Sequence, residues 1–155
     1  MAKKIFEYRY EIFVWCRTWI TVFDSDKENI IYFYAPYLSR ENKEIKLELK
    51  KSKLEEFKNL IHKHQEIFSI WEIECNSICD WIWSEFEISD WEKTVEIHWG
   101  NLWYFDHDDD HKPLKEIRKT VEGQEVINAK ILLEFFYEVR DFLVKAWVPS
   151  YCFKY

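Results

Sequence analysis

The densest group of chemistry-capable side chains in this sequence is His107-Asp108-Asp109-Asp110-His111, with Asp106 adjoining it and His98 a short way before. Carboxylate oxygens suit hard cations such as Mg²⁺ or Mn²⁺. Aspartates joined by a histidine can hold such an ion against a phosphoryl oxygen and acidify a bound water, the chemistry of a metal-dependent hydrolase. The plainer reading is a solvated acidic loop ahead of a helical piece opened by Pro113, where Asp110 would favour the positive helix end. No second carboxylate cluster of the kind a two-metal phosphoesterase needs stands out, and the loop reading is preferred.

Other constellations point less far. Cys75-x3-Cys79 and His107-x3-His111 have zinc-ligand types and pair spacings, but 27 residues separate the pairs, far beyond zinc-finger spacing. Reduced structural thiols are the expectation for all four cysteines, since no export signal is evident. His62 and His64 sit two apart on a predicted helix and point about 200° apart, so they cannot share a metal. One is expected at the core edge and the other at the surface. Gly100 and Gly123 are the only glycines, which excludes both glycine-rich phosphate loops. A Ser/His/Asp triad has its residue types but no Gly-x-Ser-x-Gly elbow, and no helix-start sequence marks a cysteine as an activated nucleophile. The sequence therefore predicts no metal, no cofactor and no catalytic group, and a binding protein rather than an enzyme.

Charge is the feature that discriminates. Residues 72–111 hold twelve acids against one base, Lys93, a balance of −11, whereas the remainder sums to +4 within the net −7 of the chain. Five of the nine tryptophans, Trp81, Trp83, Trp91, Trp99 and Trp103, fall in the same stretch. Carboxylates set around flat rings suit a basic protein partner, through ion pairs and cation–π contacts. Direct nucleic-acid binding is disfavoured, because phosphates would meet a negative surface without a basic stripe.

The elements that must position these groups are long. With 48% apolar residues, two glycines and three prolines, the 155 residues predict one α+β domain over 1–155, its loops built on Asn, Asp and Ser. Residues Phe6 to Val22 alternate with a period of two and predict a single first strand, solvated on one face early and covered on both faces later. Ile30 to Ala35 follows as the second strand of a hairpin, then a third strand carrying Ile45, Leu47 and Leu49. Ser52 and Glu55 have capping-box spacing ahead of an amphipathic helix that runs to Trp71. Trp81 to Ile88, Thr94 to Trp99 and, after the Gly100-Asn101 turn, Leu102 to Phe105 predict a second meander. A helical piece from Pro113 to Val121 and a helix from Val126 to Trp147 complete a βββαβββαα order with about six mainly antiparallel strands and two long helices packed on the sheet. Trp15, Trp19, Trp71 and Trp147 are expected to be mostly core.

On strand parity, Trp81 and Trp83 share a face with Glu85 and Glu87, and a face of two rings and two acids in line is not all core. With Asp90, Glu92, Asp106, Asp108, Asp109 and Asp110 these form the expected partner-binding set. In general character the chain resembles toxin-immunity and phage anti-defence proteins, which are short, often acidic and rich in aromatics. The resemblance implies a cytoplasmic inhibitor that covers the basic site of a nuclease, a nuclease toxin or a nucleic-acid-guided effector. The alternatives are a metal-dependent hydrolase centred on His98 and Asp106 to His111, and a pocket protein that sequesters a small ligand between rings. No apolar run is long enough to span a membrane.

Overall fold

The structure, a computed structural model, describes residues 2–12, 16–36, 43–70, 72–73, 82–99 and 123–153. Strands β1 (Lys3–Ile12), β2 (Cys16–Asp24), β3 (Ile30–Pro36) and β4 (Ile45–Leu47) precede helix α1 (Lys51–Lys63). Strands β5 (Glu72–Ile73), β6 (Ile82–Ser89) and β7 (Thr94–Trp99) follow, and helix α2 (Gly123–Lys145) comes last of these. They form one sheet in the order β4-β3-β2-β1-β6-β7-β5, antiparallel except where β5 pairs with β7. The fold is α+β, with strands, helix, strands and helix in the expected succession. Both edges are very short strands, which limits the unpaired backbone offered to other chains.

The alternation from Phe6 to Val22 belongs to two strands. The chain reverses between Ile12 and Cys16, placing Tyr8 opposite Ile20 and Tyr10 opposite Thr18. Even-numbered residues meet even-numbered residues across the reversal, so the assignment of faces survives although the single strand does not. Residues 13–15 read Phe-Val-Trp and carry none of the usual turn residues, so nothing in the pattern marks the reversal. β1 also pairs with β6, Tyr8 lying opposite Phe86, and this pairing joins the two meanders into one sheet.

Both helices pack on the even-numbered face. Phe6 meets Phe57 of α1 at 5.9 Å and Phe135 of α2 at 6.2 Å, both edge-on, while Tyr8 and Phe86 each contact Phe136. Leu54, Phe57 and Ile61, and then Leu132, Phe135, Phe136, Val139 and Leu143, recur at helical spacing and are buried. Between the helices, Lys63 and His64 both reach the Glu138 carboxylate at 2.9 Å. The hydrogen bond from His64, then that from Lys63, holds the Glu138 carboxyl below its ordinary pKa. Such a solvated pair contributes at most about 1 kcal/mol. An aromatic pair adds roughly 0.5–1.5 kcal/mol beyond the burial of its rings, so rings rather than ions fix the helices. His64 lies at the core edge and His62 at the surface, as expected.

The capping box does not form. Helix α1 starts at Lys51 after Lys50, whose carbonyl accepts from the N–H groups of Lys53 and Leu54, so Ser52 already lies within the first turn. Glu55 instead accepts from Lys58 Nζ at 2.8 Å. The helix stops at Lys63, and Gln65–Ser69 tightens into a 3₁₀ turn rather than continuing to Trp71. α2 begins at Gly123, three residues before the expected start. It closes in a Schellman motif: the Val148 N–H donates to the Leu143 carbonyl and the Trp147 N–H to that of Val144. Trp147 takes the left-handed position that glycine usually fills, with φ 75°, and is 84% exposed. Trp147 is therefore not a core ring, because this backbone directs its side chain into solvent. The expected strand from Leu102 to Phe105 and the helical piece from Pro113 to Val121 lie outside the described residues. Among those described, no helix is long and apolar enough to cross a membrane.

The β6–β7 turn is held by Asp90. Its Oδ1 accepts from the N–H groups of Lys93 at 2.9 Å and Glu92 at 3.2 Å, while Oδ2 accepts from Gln65 Nε2 at 3.1 Å. Burial alone would raise the Asp90 pKa; the bonds from Lys93, Gln65 and Glu92 outweigh it and leave the carboxyl below its ordinary value.

Two predictions test this architecture. Phe57→Ala and Phe135→Ala should each lower unfolding free energy by about 3–5 kcal/mol in urea titrations, since both rings are fully buried. Asp90 has a depressed pKa in the folded state, so its contribution is present above the unfolded value near 3.8 and is lost as pH falls through the folded one. Asp90→Asn should therefore flatten the acid limb of the Tm-against-pH curve below that point, and an unchanged limb would show that the carboxylate does not hold the turn.

Candidate functional site

Strand pleating that sends the even-numbered residues of β1 to the helices sends its odd-numbered residues to the other face. No described helix packs there. Three rows of side-chain positions cross this face in register. Phe33, Trp19, Arg9, Glu85 and His98 form the first, and Ile31, Thr21, Glu7, Glu87 and Glu96 the second. Ala35, Arg17, Glu11 and Trp83 form the third. The face bears a concavity of about 1210 Å³ bordered by Glu7, Arg9, Trp19, Phe33 and Glu85 among others.

A register shift next to Ile5 adds a cation to this surface. Lys4 pairs with Phe23, whereas Phe6 pairs with Val22, so the extra residue turns Lys4 onto the odd-numbered face while Ile5 stays buried. The Lys4 ammonium then lies 2.6 Å from Glu87 and 3.2 Å from Glu7. Burial opposes its charge, but the bonds to Glu87 and Glu7 prevail and hold its pKa above the ordinary lysine value. Arg9 adds a 2.8 Å contact to Glu7 and places its guanidinium 4.2 Å from the centre of the Trp19 ring. Between these cations Glu7 is only 6% exposed although it faces away from the helices. Arg17 pairs with Glu11 at 2.9 Å.

Charge is therefore divided across the face. The β1–β2 side carries cations matched to Glu7, Glu11 and Glu87. On the β6–β7 side, Glu85 meets only His98 Nδ1, at 3.4 Å, and exposed Glu96 and Glu92 have no cation within ion-pair distance among the described residues. Trp19, expected in the core, is 43% exposed and lies under Arg9 on this face. Its odd parity on β2 is the available signal, but periodicity alone does not show that no described element covers that row.

The expected site residues separate into three groups. Glu85 and Glu87 share the face opposite the described helices, as parity predicts, and Trp83 pairs in register with Glu11. Glu92 is exposed in the β6–β7 turn. Asp90, at 6% exposure, is corrected from a surface carboxylate to the internal staple of that turn, because its oxygens are spent on Lys93, Glu92 and Gln65. Trp81, Asp106, Asp108, Asp109 and Asp110, with His107 and His111 of the alternative metal cluster, lie outside the described residues, as do Cys75 and Cys79. Sequence reasoning missed Arg9, Lys4 and Trp19. Arg9 had a signal in its odd parity beside Glu7 and Glu11, whereas Lys4 reaches the face only through the bulge.

Trp91 is the one tryptophan of the acidic stretch whose contacts are described, and they are within the chain. Its indole N–H donates to Asp24 at 3.3 Å, and Lys58 Nζ lies 4.7 Å from the ring centre. Among the described residues no three histidine, cysteine or acidic side chains are grouped as metal ligands. Cys16 and Cys152 carry no disulfide, and burial, with the nearby Cys16 adding to it, pushes the Cys152 thiol up to about 12. At neutral pH such a thiol is protonated and a poor nucleophile. No protein-family model and no curated protein matches this chain.

Proposed function

We propose that this chain is a small cytoplasmic inhibitor that docks the face of its sheet opposite the described helices on a basic protein and covers that protein's nucleic-acid-handling site. The observation that carries the reading is the segregation of charge. Twelve acids against one base fall in residues 72–111, and Glu85, Glu92 and Glu96 of that stretch lie on the β6–β7 side with little or no fixed countercharge among the described residues. Basic clefts belong mostly to proteins that handle nucleic acid, so a nuclease, a nuclease toxin or a nucleic-acid-guided effector is the expected partner. Trp19 and Phe33 add apolar contact beside the acids, the pairing that anchors interfaces elsewhere. Lys4 and Arg9 tie Glu7 and Glu87 in place before any encounter, which lowers the ordering cost of docking.

A second reading is supported by the concavity bordered by Arg9, Trp19 and Glu85, where a small ligand could stack on the indole and bond the charged groups. The metal-dependent hydrolase rests on a cluster whose Asp106 to His111 lie outside the described residues; among those described, His98 meets the carboxylate of Glu85.

Inhibition assays against a panel of basic nucleases, nuclease toxins and guided effectors test the proposal. Inhibition of at least one should weaken as salt rises, because screening shortens the reach of charge to about 8 Å at physiological ionic strength. The double variant Glu85→Lys/Glu96→Lys should lose about tenfold or more in affinity. Glu55→Lys/Glu56→Lys, on the exposed side of α1, should lose much less. Equal losses in the two variants would overturn the assignment of the face.

A further inference from the structure

On the even-numbered face, three hydroxyl-bearing residues lie side by side across three strands: Tyr10 of β1 stands opposite Thr18 of β2 and opposite Ser84 of β6. Tyr8, next on the same face of β1, stacks its ring on that of Tyr10 at 6.5 Å. All four side chains are essentially inaccessible, and none of their hydroxyls has a hydrogen-bond partner among the described residues. The Ser84 hydroxyl lies near enough to the Tyr8 phenol to favour its ionised form, but burial outweighs this and no complete hydrogen bond joins the two. Phe86, Phe136 and Phe153 close around Tyr8.

A buried hydroxyl without a partner is unfavourable, and the large majority of buried side-chain polar atoms are satisfied in folded proteins. Three such hydroxyls in one row with a fourth beside it therefore indicate a shared partner. Burial keeps both phenols protonated, so the site is neutral and offers both donors and acceptors. An ion would lack a countercharge there. Water, which donates and accepts and typically makes about three hydrogen bonds when buried, has the matching chemistry. We propose that the hydroxyls of Tyr8, Tyr10, Thr18 and Ser84 form an internal hydration site, in which ordered water bridges β2, β1 and β6 beneath α2.

The experiment is oxygen-17 magnetic relaxation dispersion on the full chain, which registers long-lived internal water, combined with thermal melts. Wild type should give a dispersion that is reduced in the near-isosteric variants Tyr10→Phe and Thr18→Val and further reduced in Tyr10→Phe/Thr18→Val/Ser84→Ala. Each single variant should melt at a lower temperature than wild type, because its hydroxyl loses a bond to water. No dispersion in wild type, a dispersion unchanged in the single variants, or a rise in Tm on removing either hydroxyl would overturn the proposal.

Discussion

The packing of Phe6 against Phe57 and Phe135 decides which face of the sheet is buried, and the chemistry of the other face follows from it. Among the described strands β1 alone pairs with both meanders, so committing its even-numbered rings to the helices commits the sheet through its register. Glu7, Arg9 and Glu11 are then obliged to face away, and β6 must present Glu85 and Glu87 alongside them. A one-residue slip of β1 would exchange the two faces of that strand, burying Glu7, Arg9 and Glu11 and exposing the rings of Phe6, Tyr8 and Tyr10. The cost of that exchange far exceeds any surface ion pair, so the core, and not the charges, specifies where the charges stand.

The irregularity beside Ile5 links the two faces. It keeps Ile5 in the core while delivering the Lys4 ammonium to Glu7 and Glu87. The acidic stretch consequently meets a cationic counterpart within its own sheet, and the face is divided rather than uniformly negative. Matched carboxylates on the β1 side give shape and rigidity. Under the proposed function, Glu85, Glu92 and Glu96, less compensated among the described residues, would supply the long-range field, whose effect falls on the encounter rate and partner choice more than on the depth of binding. Trp19, Phe33 and the rest of the β2–β3 side would supply the contact that holds a partner once steered.

Most of the fold was legible because alternation and helical spacing are properties of the core: the parity of Phe6, Tyr8, Ile20, Phe86 and Ile97 and the stripe from Leu54 to Ile61 all appear in the structure as buried positions. What failed was punctuation. The reversal after Ile12 lacks turn residues, the helix after Lys50 starts on a backbone geometry rather than on the Ser52 side chain, and Trp147 occupies a position where glycine would have announced the end of α2. In the candidate site, Glu85 and Glu87 followed from parity, but Asp90 did not, because a carboxylate that serves N–H groups of its own turn looks the same in sequence as one that serves a partner. The cation–π contact of Arg9 with Trp19 depends on strand pairing across a reversal that the sequence conceals.

The central claim is the proposal that the sheet face opposite the described helices receives a basic protein. Its most direct test is an NMR titration of isotopically labelled protein with an arginine-rich peptide, reading the side-chain carboxyl carbons of the glutamates and the indole N–H groups. The account predicts saturable, salt-sensitive shifts at Glu85 and Glu96 and at the Trp19 indole, with Glu55, Glu56 and the Trp147 indole unmoved. Shifts confined to the helices, or spread evenly over all exposed acids, would contradict it.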